Sequence, residues 1–556
     1  MRALVCLAVA VGCSTNSGPG EEPDPKGWTI TVDMSGLDRF VVPETSTSWP
    51  VAGWASATAG LIGVDVAGAP VAFGEDGAFA TSVPVALGLT HVPILARDAE
   101  GHERKGDRTL LAAQMLAPGA HNREAAALVL DDQILAALAG DLASQTGTVD
   151  IAGEILGRPI LSQDDRCVTW PVAASQREVT TELVEDRGAL WLHVQIPDLY
   201  VYFEGECQGP FRLIPLAGEM LGTIDVWSQL TGNPGGDCLT SFAHSKPEVT
   251  IAGWGFDVWG LGGPLQNWIV SLFRNEKAGE ARAQIAREVG TRADELLDDK
   301  LGHVEVFDRV SNVELLGKPV ALHLCLGALD RVGETLVARI SALASGEGDR
   351  PAPGTPQVTG ARPRAARDEL VLDANLVGQL LFASWRAGGL SRTAPDADIT
   401  VLQILVPELA QRFPDATHAQ ITIDAELPPL VRATPDSSGD LSIELGDVMV
   451  DLTIDGKRIF RFGVDLKLGL ELVPTNGALV PKVVEVAASV ALLDELYDGP
   501  DAALEQAVQL QLADTAAQLL GDSAAIALPD LPGLGKPMAV TADRGGRYLH
   551  VKLAPN

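Results

Sequence analysis

Residues 128–138 read LVLDDQILAAL and residues 370–380 read LVLDANLVGQL, an offset of 242 residues. Ile134, Leu135 and Leu138 of the first copy map onto Leu376, Val377 and Leu380 of the second. Each copy opens as a short strand-like apolar run that ends at an aspartate, Asp131 or Asp373. Apolar residues then recur at i, i+3 and i+4, the period of a helix with one buried face. An aspartate at that junction suits a helix N-cap, where its carboxylate accepts from the free N–H groups of the first turn. Solenoid units repeat at no more than about 50 residues. The offset therefore predicts two copies of a whole domain of ordinary size.

The rest of the chain sets the frame. Its 556 residues leave room for about three domains at roughly 150 residues each. It is 46% hydrophobic but only 5% aromatic, so its cores must be mainly aliphatic. A net charge of −33, from 74 acidic and 41 basic residues, comes with no long Lys/Arg run. That balance argues against nucleic acid as a partner and against a basic patch gripping anionic membranes.

The N-terminus, MRALVCLAVAVGC, has a one-residue positive region at Arg2 and an apolar run Leu4–Val11 too short to span a bilayer. Ala10-Val11-Gly12-Cys13 resembles the bacterial lipobox, with Ala10 where Leu is usual. The resemblance implies a signal peptide over 1–12, export, lipidation at Cys13 and a flexible tether over 13–26. Ser14, rather than Asp, favours an outer-membrane lipoprotein on its periplasmic or surface face. A plain secretory signal would export the chain equally. Cys167, Cys207, Cys238 and Cys325 then lie in a compartment that permits disulfides, with three possible pairings. Their spacing has neither a CxxC nor a His-paired pattern, so no metal site is expected.

Residues 27–115 read as a small all-β sandwich: short alternating runs, with Asp76-Gly77 as a hairpin signal between Phe73 and Phe79. The phrase from Val64 to His102 resembles bacterial immunoglobulin-like domains, which serve as spacers or adhesive modules. A first large unit spans 120–344. Leu190, Leu192, Val194 and Ile196 alternate in it, and a long helix runs from Pro264 to about Leu301. A Pro/Gly-rich connector without periodicity covers 345–366. The second unit, 367–556, repeats the plan. A helix ends at Gly388-Gly389, and a hairpin turns at Asp455-Gly456 between Val448–Ile454 and Val464–Leu472. A helix near 501–520 and a closing strand Tyr548–Leu553 follow.

Several phrases, in order, resemble the tubular lipid-binding superfamily. Leu380-Leu381-Phe382-Ala383-Ser384-Trp385-Arg386-Ala387-Gly388-Gly389-Leu390 is similar to its "L-x-A-x-W-K-A-G-x-L" helix. Val406 to Pro414, VPELAQRFP, is similar to its "P-E-x-x-x-K-F-P" segment, and Pro428-Pro429 to its paired prolines. Gly253-Trp254 and the helix from Pro264 are vaguer counterparts in the first unit. The branch resembled is the two-domain one of bactericidal/permeability-increasing protein, lipopolysaccharide-binding protein and cholesteryl ester transfer protein. It implies an α+β fold: two tandem elongated barrels, each an antiparallel sheet around a long helix, boomerang-like, after the Ig-like sandwich. It also implies apolar pockets for phospholipid-like molecules. The pocket-wall candidates are Ile134, Leu138, Trp268 and Leu272 in the first unit, and Leu376, Leu380, Trp385, Leu504 and Val508 in the second. The acidic charge departs from the family's cationic lipopolysaccharide binders. The family disulfide lacks its helix cysteine here, and the resemblance then implies Cys207–Cys238, leaving Cys167–Cys325.

No phosphate loop, HExxH zinc motif or GxSxG elbow occurs. The paired carboxylates Asp131-Asp132 and the strand histidines His193 and His550 read as capping and surface groups. The expectation is a non-enzymatic lipid-binding or lipid-transfer lipoprotein without a cofactor, with up to about two bound lipids. The alternative is a surface-anchored adhesive lipoprotein whose Ig-like domain binds a protein partner and whose barrels are solid cores.

Overall fold

The computed structural model of the chain describes residues 30–554 apart from 34–39, 147–149, 157–158, 160, 164–166, 209–212, 261–263, 302–306, 349, 362–363, 436–438, 476, 522–525 and 528–533. The leader, Cys13 and the tether lie outside the described residues. So do some side chains within elements, chiefly those of 264–278 and 513–521.

Strand makes up 60% of the chain and helix 16%, so the expected α+β class is corrected to a mainly β fold. The four expected helices form, with three short ones besides: α1 Asp132–Thr146, α2 Ile151–Ile155, α3 Pro264–Leu301, α4 Ala374–Arg386, α5 Thr400–Leu405, α6 Pro407–Arg412 and α7 Asp501–Gly521, of which α2, α5 and α6 were not expected. The strands outweigh them by their length. Ala189–Gln208 and Leu213–Pro234 have 20 and 22 residues, and Lys457–Thr475 has 19. Each carries β-bulges, between Ile196 and Leu199 or between Leu221 and Thr223, for example. A bulge bends a strand and raises its twist without ending it. Sequence that reads as several short strands therefore runs on as one curled strand.

The two copies of the opening phrase lie side by side. Asn122–Val129 and Glu369–Asp373 pair antiparallel, with Leu128 opposite Leu370, Ala127 opposite Val371 and Ala126 opposite Leu372. They sit at the middle of a seven-stranded sheet. Asp308–Leu315, Lys318–Val332 and Thr335–Ser345 lie on one side, and Tyr548–Leu553 and Pro537–Ala542 on the other. Both aspartates cap their helices. Asp131 Oδ1 accepts from Gln133 N at 3.1 Å and from Ile134 N at 2.9 Å; Asp373 Oδ1 accepts from Asn375 N at 2.9 Å. The copies differ in depth. Asp373 is fully buried and meets Arg547 Nη2 at 2.9 Å and Asn122 Nδ2 at 3.1 Å. Burial raises its pKa, and the Arg547 guanidinium opposes that rise.

On either side of this sheet stands a lobe with a seven-stranded sheet of its own. The first lobe's sheet curls against α3, and the second lobe's, Ser391 to Ala527, packs with α7. Cys238 bonds to Cys325 across 87 residues, which corrects the expected Cys207–Cys238 and Cys167–Cys325 pairs. Cys207 stands opposite Ile214 at the start of Leu213–Pro234, whereas Cys238 follows its end. About 65 Å of extended chain separates the two positions. In the backbone register Cys207 is instead the partner of Cys167.

The small β module has two sheets, of three and six strands, around Val64, Val66, Val92, Ile94, Leu110 and Leu111. The connector is not structureless: its Thr355–Gln357 pairs with Glu103–Leu116 of the module. Nor is the module a free spacer. Its core includes Val358, Leu427 and Leu430, and it meets the second lobe through polar contacts. Lys105 Nζ reaches Glu505 at 2.6 Å and Arg108 Nη1 reaches Asp447 at 3.3 Å. His91 Nδ1 lies 3.0 Å from Asp107 and 2.9 Å from Asp465. Hydrogen bonds to these two carboxylates raise the His91 pKa to about 10, and burial raises that of Asp447 to about 8.

Candidate binding pocket

The second lobe encloses a pocket walled by described residues. Strand alternation builds one wall: Val464, Leu466 and Leu468 point the same way from Lys457–Thr475. The neighbouring strand, Leu441–Ile454, adds Ile443 and Leu445, then Val448. A spacing of three would turn Val448 to the opposite face. The bulge between Leu445 and Val448, with Asp447 at φ 55°, restores it to the pocket side. Leu381 of α4 and Leu512 of α7 close the space, with Leu316 and Leu390 at its edges. The pocket holds about 880 Å³ of atom-free space, a figure that includes space open to solvent.

The lining is aliphatic apart from Arg392. This guanidinium is half-buried and has no ion-pair partner among the described residues. Among the described residues it is the one charged side chain of the lining. It offers five N–H donors to a carboxylate or phosphate.

The residues named from sequence lie next to this lining rather than in it. Leu376, Leu380, Leu504 and Val508 are buried core residues. Leu381 and Leu512, one position beyond Leu380 and one turn beyond Val508, face the space instead. Trp385 is fully buried; its indole N–H donates to the Ala425 carbonyl at 2.7 Å, and the Arg350 guanidinium lies 5.4 Å from its ring. A buried indole needs such an acceptor, so Trp385 anchors α4 to strand His418–Ala425. Ile134 lines a separate narrow cleft of about 330 Å³ beside Asp131 and Asp368, and Leu138 packs half-buried against the core. The side chains of Trp268 and Leu272 lie outside the described residues. The strand residues Ile443, Leu445, Val448 and Ile423 were missed. Their signal was the alternation itself, which marks an inward face but does not say whether that face is filled.

In the first lobe a smaller space, about 310 Å³, lies among Val201, Met220, Ile251, Trp254 and Ile285. Rings crowd it. Phe203 and Phe256 stack at 5.8 Å, and Trp254 and Phe256 at 6.1 Å. Phe203 packs over Gly218, where a Cβ would come within 2.4 Å of its Cζ.

No family model matches this chain. No curated protein matches it either. Among solved structures, one described as lipopolysaccharide binding protein aligns with a TM-score of 0.36 and 15% identity, over 79% of this chain and 100% of that one. A likeness at that level decides neither the fold nor the function.

Proposed function

We propose that the chain is a non-enzymatic carrier of acyl-chain lipids, which it holds in the second-lobe pocket with an anionic headgroup at Arg392. The aliphatic pocket is the observation that carries this reading. Each CH₂ moved from water into such walls is favoured by about 0.8 kcal/mol, and a single cation at the lining orients the head without chemistry. The resemblance to tubular lipid-binding proteins agrees with this use, and a lipid on Cys13 would hold the carrier at a membrane after export. Solid barrels, as the adhesive alternative requires, are not favoured by an open apolar space.

Uptake of a fluorescent anionic phospholipid by the delipidated protein tests the proposal. Saturable binding is expected, with Arg392→Ala weakening the anionic lipid about tenfold. A zwitterionic analogue should change little. Absence of any uptake would overturn the carrier reading, and equal binding by the variant would remove Arg392 from it.

A further inference from the structure

His121, Cys238, His323 and Cys325 come from three separate stretches of chain: the approach to Asn122–Val129, the turn after Leu213–Pro234, and strand Lys318–Val332. One nitrogen or sulfur from each lies within 4.8 Å of those of all the others. The imidazoles meet through His121 Nε2 and His323 Nδ1, 3.1 Å apart. Their outer nitrogens face carboxylates: His121 Nδ1 lies 3.4 Å from Asp237 Oδ2, and His323 Nε2 lies 2.6 Å from Asp308 Oδ1.

A carboxylate accepts only, so in the neutral tautomers that serve both carboxylates each ring keeps its N–H on the outer nitrogen. In those tautomers both inner nitrogens carry lone pairs and face each other across 3.1 Å. A cation between them removes that repulsion. The two sulfurs lie within 4.8 Å of ring nitrogens of both histidines, and carboxylate-backed imidazoles are the usual support of a metal-bound histidine.

We propose that these four side chains form a Cys₂His₂ zinc site when the Cys238–Cys325 bond is reduced, and that the disulfide is the site's oxidised, metal-free form. Tetrahedral zinc, with bonds of about 2.0–2.1 Å to nitrogen and 2.3 Å to sulfur, puts its nitrogens about 3.3 Å and its sulfurs about 3.8 Å apart. The nitrogens already stand near that spacing. The cysteine Cα atoms, 5.6 Å apart, leave the freed sulfurs room to separate by side-chain rotation. A dithiol reductant breaks the S–S bond by supplying two electrons and two protons, and itself becomes a disulfide. Zinc then displaces the two thiol protons. Two thiolates cancel the charge of the ion, which suits a cluster in which Cys325 is fully buried. In either state the turn bearing Cys238 stays fastened to the central sheet. The four ligands span more than 200 residues of sequence, so no local motif announces them.

The test titrates zinc into the full-length protein after phosphine reduction under anaerobic conditions. One zinc per chain is expected, with release of about two protons and protection of Cys238 and Cys325 from alkylation. Cobalt in its place should give tetrahedral d–d bands and a thiolate-to-metal charge-transfer band. His323→Ala should weaken zinc by at least about 100-fold and Asp308→Asn by about 10–100-fold, whereas the oxidised protein should take up none at the same concentration. If reduction unfolds the chain, zinc should restore the fold and raise its Tm. The proposal is overturned if zinc neither protects the thiols nor restores the fold, or if a His121→Ala/His323→Ala variant binds zinc as tightly as the parent.

Discussion

The two lobes repeat one order of elements but differ in the spaces that their described residues line. Among the described residues, aliphatic side chains from Ile443 to Leu468 surround about 880 Å³ in the second lobe. In the first lobe the space that described residues line, beside Trp254 and Ile285, is about 310 Å³. The shared topology makes a curled sheet with an apolar inner face in each lobe. Close packing is the default of protein interiors, so the unfilled space in the second lobe is the feature that needs a purpose.

A matched pair of substitutions breaks or confirms this contrast with the largest expected effect. Leu466→Trp fills the second-lobe pocket, and labelled-lipid uptake should fall at least about 100-fold while the Tm stays close to that of the parent. Leu221→Trp, at a half-exposed leucine of the first-lobe space, should leave uptake unchanged. Equal loss from both would erase the distinction between the lobes.

Next in size is the link between the first lobe and the central sheet. Cys238→Ser opens an 87-residue loop, and chemical denaturation should show a loss of about 4–5 kcal/mol by the chain-entropy account. Peptide mapping of the parent should also find Cys167 joined to Cys207, the partners in the backbone register. The duplicated phrase sets a comparable test. Asp373→Ala takes the closest carboxylate from Arg547, leaving it Glu124 at 3.4 Å, and should cost about 3 kcal/mol. Asp131→Ala removes only a shallow cap, at about 1 kcal/mol.

The smallest effect is one of pH, at the junction of the module and the second lobe. His91, facing Asp107 and Asp465, titrates in the folded chain at about 10 against an ordinary 6.5. Its contribution is complete below about 6.5 and is lost as pH rises through about 10. Asp447, raised by burial to about 8 despite Arg108, shifts in the same sense from its usual 3.8. Docking should therefore weaken steadily toward alkaline pH, read as faster proteolysis between the module and the lobe. His91→Gln should flatten the upper part of that slope.

Much of this organisation was legible in the sequence, for local reasons. The strand–aspartate–helix phrase, the Asp455-Gly456 turn with φ of 48° and 77°, and the stop at Gly388 all follow from chemistry within a few residues. What was not legible depends on distance or on filling. The disulfide needed the length of two curled strands. The pocket face of Leu441–Ile454 needed a bulge at Gly446-Asp447 that alternation alone does not announce. Leu381 rather than its neighbour Leu380 faces the pocket, and the pattern could not say so because α4 is buried on nearly every side: from Ala374 to Trp385 only Val377 is not fully buried. A helix without a wet face gives no stripe by which to tell pocket from core.

Native mass spectrometry of the delipidated chain, reloaded with an anionic phospholipid, tests the central claim most directly. One lipid per chain is predicted for the parent and none for Leu466→Trp. Bare parent protein, or a variant that loads as the parent does, would contradict a second-lobe lipid pocket.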